Sequence, residues 1–419
     1  MVEMVCFDIS APYTSARWAA ISPCVKPLAD NDSDRAGQYL QGLMLDGRRK
    51  SVQPMAGRLV GVHDQALNHF VTNSPWAVEP VRRRLARRMD AAIGPAAWAL
   101  DDTGWLKCGS ASPGVARQYT GTAGKVTNCQ IGVSLNLVTD VASCPVDWRL
   151  FLPGSWDPAS PEATDDVERR RARAQIPDDV GHREKWRLGL DMIDEVTGWG
   201  LTAPLIVADA GYGDSGEFRL GLTERGLSYV VQVATTISVY PQTAVRTAPP
   251  YRGVGQRPKQ RYREPAVSVR DLIASVGPDA ARTIAWRDGS RTRAGKPVKM
   301  RSRFVFLRVR PAGRVLRAAH RDRDLPEAWL IAEWPADRSE PTKYWLSNLP
   351  ATTTKRTLIR WAKLRWRIEH DYRELKTGLG LDHYEGRTWQ GWHHHVTLVS
   401  AAHAFCTLQR LDPKAPAPA

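Results

Sequence analysis

The chain of 419 residues contains few cysteines, and their spacing excludes the common cysteine-based metal sites. Its six cysteines are scattered, and none stands in the C-x-x-C pair that a zinc ribbon requires. Free thiols suit a reducing cytoplasm. No apolar run approaches the roughly 20 residues needed to cross a bilayer, and the N-terminus lacks the basic start and apolar stretch of a secretory signal. The sequence therefore predicts a cytoplasmic protein that has no membrane partner.

The net charge of the chain is strongly positive. Lys and Arg together number 59, against 44 Asp and Glu, which gives a formal net charge of +15. Such an excess favours a polyanionic partner, since each phosphate that a basic side chain neutralises releases condensed counterions. The alternative is the basic surface of an ordinary protein from an arginine-rich proteome, and composition alone leaves this alternative open.

Sequence patterns divide the chain into segments. Apolar residues recur at helical spacing before about residue 95, where one predicted helix carries Arg82, Arg83, Arg84, Arg87 and Arg88. These arginines could contact DNA, and a solvated basic face explains them equally well. Strands then alternate with helices, which indicates a mixed α/β sheet. The predicted segments are a poorly structured lead, a helical domain, the first part of an α/β core, a β-rich insertion, the C-terminal helical part of the core and a tail: 1–37, 38–95, 96–235, 236–345, 346–410 and 411–419.

Two aspartates follow short apolar runs that are typical of β-strands. Asp102 ends the run "AAWALDD", and Asp209 follows "LIVA". Ligand-binding groups often project from strand ends at the edge of a sheet, and the small residues after Asp209 would let a ligand approach the backbone. A helix N-cap explains a single strand-end aspartate equally well, so the pattern alone leaves both interpretations open.

A third acid, Glu369, lies in a basic helix with the sequence "LRWRIEHDYRELKTGLG". At about 100° per residue, Glu369 lies about 40° from Arg365, and Tyr372 and Lys376 each fall within about 20° of Arg365. These four side chains therefore form one polar stripe, whereas Glu374 lies on the opposite face. An ion pair between Arg365 and Glu369, contributing about 0.3–0.5 kcal/mol, is the simple alternative to a metal site that faces DNA.

These blocks resemble the DDE-class transposases of insertion sequences, in the group that contains the IS4 and IS701 families. Arg365, Glu369 and Lys376 fit that group's third-acid signature of Arg, three residues, Glu, six residues and Lys. The stretch "LDDTGWLKCGSASPGVARQYTGTAGKVTNCQIGVSLNL" resembles the first-acid block, in which the Asp directly before Thr is the ligand, and this selects Asp102. The stretch "IVADAGYGD" resembles the second block and carries Asp209.

The resemblance spans roughly residues 35 to 400, and it implies an α/β fold. The core is expected to be RNase H-like, a mixed sheet flanked by helices, with a β-rich insertion and an N-terminal helical domain. The first Asp is expected on the first strand, the second on the fourth strand, and the Glu on a later helix. One position departs from the group, which has Tyr three residues before the signature Arg, where this chain has Ala362. Trp361, on the same stripe, is the candidate substitute.

The resemblance implies an enzyme that cuts the ends of a transposon and transfers them into target DNA. Asp102, Asp209 and Glu369 are the implied catalytic residues and metal ligands. They would hold two Mg²⁺ (or Mn²⁺) ions, because clustered carboxylates need divalent cations and hard oxygen ligands suit these ions. The predicted DNA-binding residues are Arg365, Lys376 and Tyr372.

The implied partners are double-stranded DNA, both as terminal inverted repeats and as target, and a second copy of the chain. A homodimer on DNA is expected because two ends must be brought together, and such a chain would associate with the bacterial nucleoid. Two alternatives stay open. One is a domesticated or inactive relic that binds DNA without cutting it, and the other is an RNase H-like nuclease that cuts without joining strands.

Two other patterns are rejected as sites. The stretch "GTAGK" at 121–125 lacks the Gly and the Ser or Thr that a phosphate-binding loop requires. Consecutive histidines on a helix point in different directions, so "HHH" at 393–395 is not expected to bind one metal ion. We expect these histidines to be exposed or to contact phosphate.

Overall fold

The structure is a computed structural model that describes residues 30–293 and 296–412. Contacts divide the described residues into two compact units, one formed by those up to residue 202 together with those from residue 366 onwards, and the other by those between 203 and 365. The boundaries of these units differ from the predicted segment boundaries. The roles assigned to those segments stay predictions. Residues 1–29 of the predicted lead lie outside the described residues, whereas residues 30–37 form the start of a helix.

The first unit begins with four helices, at α1 (Asp30–Met44), α2 (Val52–Ala56), α3 (Asp64–Thr72) and α4 (Val78–Ile93). Their apolar residues recur every three or four positions and are buried, as Leu67 and Phe70 of α3 show. Helix α4 ends at Gly94, which adopts the left-handed conformation that favours glycine (φ 54°). The helical character predicted for this part of the chain is confirmed.

Four antiparallel strands follow, at β1 (Ala97–Leu106), β2 (Ala116–Thr120), β3 (Lys125–Val138) and β4 (Ser143–Phe151). Strand β3 is central, with β1 along one side and β2 and β4 along the other. The register of β1 on β3 places Asp101 opposite Ser134 and Asp102 opposite Val133. Asp102 therefore lies in the middle of a ten-residue strand, so the interpretation of Asp102 as a strand end was wrong. Strand β1 continues because each of its residues pairs with β3.

Two more helices of the first unit follow at α5 (Val167–Ala174) and α6 (Lys185–Gly198), and α6 packs against β3 and β4. The second unit then opens with strand β5 (Ile206–Ala208), the short helices α7 (Ala210–Gly213) and α8 (Gly216–Glu224), and strand β6 (Tyr229–Val233). Strands β5 and β6 are parallel, as a strand–helix–strand connection requires.

The remaining strands of the second unit are antiparallel to their neighbours, and most of them extend the sheet of β5 and β6 in the spatial order β6, β14, β13, β12, β7, β10. Strand β11 pairs with β12, and β8 and β9 form a separate ribbon. Their bounds are β7 (Ser238–Pro241), β8 (Arg246–Thr247), β9 (Arg261–Tyr262), β10 (Val267–Ser268), β11 (Arg282–Arg293), β12 (Lys296–Pro311), β13 (Ala328–Glu333) and β14 (Lys343–Ser347). The helices are α9 (Val269–Val276), α10 (Arg314–Ala319) and α11 (Lys355–Leu364).

The chain then returns to the first unit with α12 (Trp366–Arg373), a π-helical turn at Glu374–Gly378, and the long helix α13 (Trp389–Leu411). The sequence predicted one continuous helix through the third-acid signature. That prediction was wrong, since α11 ends at Leu364, with Arg365 as its C-cap, and the regular part of α12 ends at Arg373. Helix α13 is buried on most of its surface because α1, α3, α4 and β4 pack around it.

The mixed α/β class is confirmed, with antiparallel and parallel strand pairs and helices beside the strands. One detail differs from the expectation for an RNase H-like core. Asp209 follows the fifth strand in chain order and not the fourth, because the short strand β2 adds a pairing to β3.

Candidate functional site

Asp102 is paired with a lysine that the sequence analysis did not select. Lys185, the first residue of α6, places its Nζ 2.8 Å from Asp102 Oδ2. About a quarter of the Asp102 side chain is exposed, and the Lys185 ammonium also lies 5.5 Å from the centroid of the Phe151 ring. No sequence signal could reveal this pair, since the two residues are far apart in the chain. The Asp102 carboxylate is thus accessible and already holds one positive charge.

The neighbouring Asp101 has a different environment. It is buried, and its Oδ1 accepts a hydrogen bond of 2.8 Å from the backbone N–H of Asp102. Successive side chains of a strand point to opposite faces of the sheet, so Asp101 and Asp102 face different surroundings. Burial and this backbone contact suit Asp101 to a structural role, and the choice of Asp102 as the first candidate ligand agrees with its exposure.

Asp209 lies directly after β5, as the sequence predicted. It occupies the N-cap position of the four-residue helix α7, yet its side chain makes no capping hydrogen bond. Capping therefore does not account for the carboxylate. Gly213 of this turn has a packing role, because a Cβ atom there would collide with the backbone oxygen of Gln232 in β6. Close packing of α7 on β6 explains Gly213 without a ligand.

Glu369 is exposed on α12, and this helix packs against β1, the strand that carries Asp102. Two side-chain contacts hold the residues that follow Glu369 in position. The hydroxyl groups of Tyr372 and Ser134 lie 2.7 Å apart, and Ser134 is the register partner of Asp101. Lys376 Nζ donates a hydrogen bond of 2.7 Å to the backbone oxygen of Gly104. The third acid is therefore presented from a helix that is anchored on the Asp102 strand and its neighbour β3.

Lys376 is held by the protein itself. Besides Gly104, its Nζ donates to Thr122 Oγ1 at 2.8 Å, in the turn between β2 and β3, and it lies 6.0 Å from the centroid of the Trp105 ring. Burial lowers the pKa of Lys376 to about 8, although the charge of Asp382 acts in the opposite direction. The π-helical turn widens the helix at this residue, and such turns are frequent at functional sites.

The structure brings together some of the predicted residues. Asp102, Glu369, Tyr372 and Lys376 belong to the first unit, and Asp209 belongs to the second. Arg365 is the C-cap residue of α11 in the second unit. The meeting of the three acids in one centre stays a prediction, and so do the DNA-binding roles of Arg365, Tyr372 and Lys376.

The three consecutive histidines of α13 are buried, so the expectation of surface exposure or phosphate contact was wrong. The ring of His394 stacks on that of Trp76 with centroids 3.7 Å apart, and the Nδ1 of His395 lies 2.9 Å from the Tyr39 hydroxyl oxygen. The Nδ1 of His393 lies 3.3 Å from Arg82 Nη2. The three rings point to different partners, as helix geometry predicted, but all of these partners are parts of the core.

The arginine-rich helix α4 has two kinds of arginine. Arg82 is buried and donates from Nη1 to Asp147 Oδ1 at 2.9 Å and from Nε to Thr397 Oγ1 at 2.8 Å. Arg84, Arg87 and Arg88 are exposed. Neither DNA contact nor a solvated basic face describes Arg82, because its guanidinium joins α4 to β4 and α13 inside the first unit.

Within the residues that the structure describes, no helix is long and apolar enough to cross a membrane. Residues 23–293 match the family described as DDE superfamily endonuclease, a span that includes Asp102 and Asp209 and ends before Glu369. A curated relative described as a probable transposase for insertion sequence element IS701, from Microchaete diplosiphon, is 31% identical over 209 residues. That alignment covers 49% of this chain and 50% of the relative, so the chain spans about half the length of the curated relative that it matches.

Among solved structures, the chain is similar to piggyBac transposase in a cryo-EM structure of its synaptic complex with hairpin DNA. The identity is 10% and the TM-score 0.41, with 92% of this chain and 66% of the other covered, a likeness too weak to support an argument. The family match covers more than half of the chain and supports the resemblance seen in the motifs. The chain belongs to the DDE superfamily endonucleases.

Proposed function

We propose that this protein is a DDE transposase of the IS701-like group, which cuts the ends of its transposon and joins them to target DNA. The observation that carries the proposal is the placement of Glu369 on a helix anchored on the Asp102 strand, within a chain of the endonuclease family. The similarity to a protein described as a probable IS701 transposase supports the same conclusion.

In this proposal, Asp102, Asp209 and Glu369 would hold two Mg²⁺ or Mn²⁺ ions. The donor set suits these ions, because it consists of carboxylate oxygens and because Asp102 already accepts a cation, the Lys185 ammonium, at 2.8 Å. When bound, the ions would activate the attacking oxygen and stabilise the leaving oxygen of an in-line phosphoryl displacement. Asp209, directly after β5, and the exposed Glu369 supply carboxylate oxygens of the same kind.

The cleavage step breaks the bond between phosphorus and the 3′ oxygen at the transposon end as the oxygen of water bonds to phosphorus. The freed 3′-hydroxyl then attacks a phosphodiester of the target, where the bond between phosphorus and the target's own 3′ oxygen breaks and that oxygen leaves as a hydroxyl. No bond to the protein forms. Arg365 and Lys376 would hold phosphates of the end through charge-assisted hydrogen bonds, and Tyr372 would lie beside them. Since two ends must meet, the proposal includes a homodimer on DNA, located at the nucleoid.

The test is cleavage of a plasmid that carries the gene's own flanking DNA, with Mg²⁺ or Mn²⁺ supplied. The wild type is compared with Asp102→Asn, Asp209→Asn and Glu369→Gln. Glu224→Gln is the matched control, because Glu224 is an exposed carboxylate at the end of α8. We expect metal-dependent cuts at the flanks and joined products from wild type and control, and a loss of more than about a hundredfold in each of the three variants.

Two results would contradict the proposal, each in favour of an alternative. Cuts at the flanks without any joined product would indicate an RNase H-like nuclease. Binding to the flanks without cutting, with either metal ion, would indicate a DNA-binding relic of a transposase. Full activity of Glu369→Gln would remove Glu369 from the site while leaving the family unchanged.

A further inference from the structure

A second group of metal-ligating side chains lies on the other side of the helix that carries Glu369. His370, Asp371 and Glu374 each offer one ligand atom, and these atoms lie within 4.8 Å of one another. His403 of α13 adds a fourth donor, since its Nε2 lies 3.9 Å from Asp371 Oδ1 and 3.6 Å from Glu374 Oε2. Two imidazoles and two carboxylates therefore converge from α12, the π-helical turn that follows it, and α13.

The buried members of this cluster have polar atoms that the described residues do not satisfy. Asp371 and His403 are each 1% exposed, and neither carboxylate oxygen of Asp371 has a hydrogen-bond partner among the described residues. Both ring nitrogens of His403 and Nδ1 of His370 are likewise buried and have no hydrogen-bond partner among the described residues. Burying a carboxylate and an imidazole without hydrogen bonds destabilises the fold, because nothing offsets the free energy lost on desolvation. A bound cation would satisfy them together.

Two arginines provide the competing explanation. Arg410 donates from Nη1 to Glu374 Oε2 at 2.8 Å, and Arg367 Nε lies 3.9 Å from Asp371 Oδ1, beyond hydrogen-bond distance. Arg367 instead donates from Nε to Ser143 Oγ at 3.0 Å. Arg410 engages one oxygen of Glu374, and the other, Oε1, lies 3.9 Å from His370 Nδ1. The arginines therefore reduce the negative charge of the cluster, and they leave both oxygens of Asp371 and one oxygen of Glu374 without an arginine hydrogen bond.

The cluster is separate from the proposed catalytic acids. Asp371 is two residues after Glu369, so the two side chains point about 200° apart around the helix. Asp371 is buried towards α13, whereas Glu369 is exposed. The donors also differ in chemistry, since imidazole nitrogens suit Zn²⁺ and other late divalent ions, whereas Mg²⁺ prefers oxygen ligands.

We propose that His370, Asp371, Glu374 and His403 form a binding site for one transition-metal ion of the Zn²⁺ type. The ion would join the third-acid helix α12 to the core helix α13. Ligand atoms around a tetrahedral Zn²⁺ lie about 3.4 Å apart, so small side-chain rotations bring the four donors into range. About a third of the His370 side chain is exposed and gives the ion a path from solvent.

The test measures zinc bound by the full chain after equilibrium dialysis, with Mg²⁺ in excess. The wild type is compared with His370→Asn, which changes a partly exposed side chain and leaves the core intact, and with Asp371→Asn. The control is His69→Asn, because His69 is an exposed histidine on α3 of the same unit. We expect a single zinc ion per chain in wild type and control, and at least tenfold weaker binding in the other two variants.

Glu369→Gln and Asp102→Asn separate this site from the proposed catalytic one, since both should retain the zinc ion. Addition of zinc should raise the melting temperature of wild type and leave that of Asp371→Asn unchanged. The proposal is overturned if wild type binds no zinc, or if the bound zinc survives His370→Asn and Asp371→Asn. The cluster would then be an internal ion-pair network with Arg367 and Arg410.

Discussion

The ion pair between Lys185 and Asp102 places an ammonium group where a metal ion is expected. Nζ and Oδ2 lie 2.8 Å apart, and the side chains are 31% and 25% exposed. Partly exposed pairs of this kind contribute about 0.2–1 kcal/mol. Lys185 therefore competes with a cation for Asp102 and positions the carboxylate before the cation arrives.

This competition predicts a measurable change in metal affinity. Lys185→Met should strengthen the binding of Mn²⁺ by about two- to fivefold, because the pair no longer has to be broken. Binding can be followed by the electron paramagnetic resonance signal of free Mn²⁺, in the absence of DNA. Lys185→Arg keeps the positive charge and serves as the control. An equal Mn²⁺ affinity in Lys185→Met and wild type would contradict a competing role for Lys185.

Arg82 and Asp147 form an ion pair inside the first unit, with side chains 3% and 0% exposed. Arg82→Met should lower the free energy of unfolding by about 3 kcal/mol, because it leaves a buried carboxylate with fewer partners. The loss stays at the lower end of the usual range because Arg149 also donates to Asp147, at 2.9 and 3.0 Å. Chemical denaturation measures the change.

Two variants complete this experiment. Arg88→Met removes an exposed arginine from the same helix and should change the free energy of unfolding by no more than about 0.5 kcal/mol. The double variant Arg82→Met with Asp147→Leu should recover part of the lost stability, since it removes the stranded charge. Equal stability of Arg82→Met and wild type would show that the pair contributes nothing to the fold.

At the scale of elements, helix α13 makes the first unit sensitive to acid. Burial lowers the pKa of His393 well below its ordinary value, that of His394 to about 4 and that of His395 to about 3. These folded-state pKa values lie below the unfolded value near 6.5, so the unfolded chain takes up protons first as the pH falls. The stability is fully present above about pH 6.5 and is lost progressively towards pH 4 and below.

Each of the three imidazoles should contribute a slope of about 1.4 kcal/mol per pH unit below pH 6. We expect the free energy of unfolding, measured by urea denaturation at pH 7, 6 and 5, to fall accordingly. His395→Gln should reduce the slope by about 1.4 kcal/mol per pH unit, which is the contribution of one proton. The exposed control His69→Gln should leave the slope unchanged. A free energy of unfolding that stays constant from pH 7 to 5 would contradict the burial of neutral histidines.

The π-helical turn at Glu374–Gly378 places Lys376 against Gly104 and Thr122, and burial brings its pKa to about 8. In the free protein Lys376 therefore loses its proton as the pH rises through about 8. The affinity for transposon-end DNA, measured by fluorescence anisotropy without divalent metal, should fall between pH 7 and pH 9. Lys376→Arg keeps its charge in this range and should flatten the profile. Parallel profiles for both proteins would exclude Lys376 from phosphate binding.

The sequence predicts an element well when residues close in the chain determine it, and poorly when distant residues do. The strand before Asp209 and the helical position of Glu369 follow from short apolar runs and from the signature, and both are confirmed. The pair of Asp102 with Lys185 was missed, because its partners lie far apart in the chain. The break at Arg365 was missed because no Pro or Gly marks it.

The histidines of α13 show the same limit. Their sequence, "HHH", is as hydrophilic as a surface helix, and their burial depends on partners such as Tyr39, Trp76 and Arg82 at the other end of the chain. The extent of β1 was underestimated for a related reason. Two consecutive aspartates resemble a strand end, and the pairing with β3 that extends the strand is not visible locally.

At the scale of the whole molecule, the net charge of +15 predicts DNA binding that depends strongly on salt. With six to ten phosphate contacts, the affinity should fall by about 10³–10⁵ between 50 and 200 mM salt. This binding should persist in a chelator, and Asp209→Asn should bind as tightly as wild type or more tightly, because it removes a negative charge. Affinity that is insensitive to salt would show that the basic residues do not contact DNA.

The first unit is discontinuous, since its last segment begins at Trp366 after the whole of the second unit. Helix α13 packs against α1, α3, α4 and β4, so these early elements have no complete core until the end of the chain is made. Residues 203–365 alone take roughly 8–33 s to synthesise on the ribosome, so the apolar faces of the early helices stay uncovered for longer than that. Fragments that stop before α13 should therefore be poorly folded and degraded. A gene copy truncated before the codons of α13 would then leave no stable fragment that could compete with the intact chain.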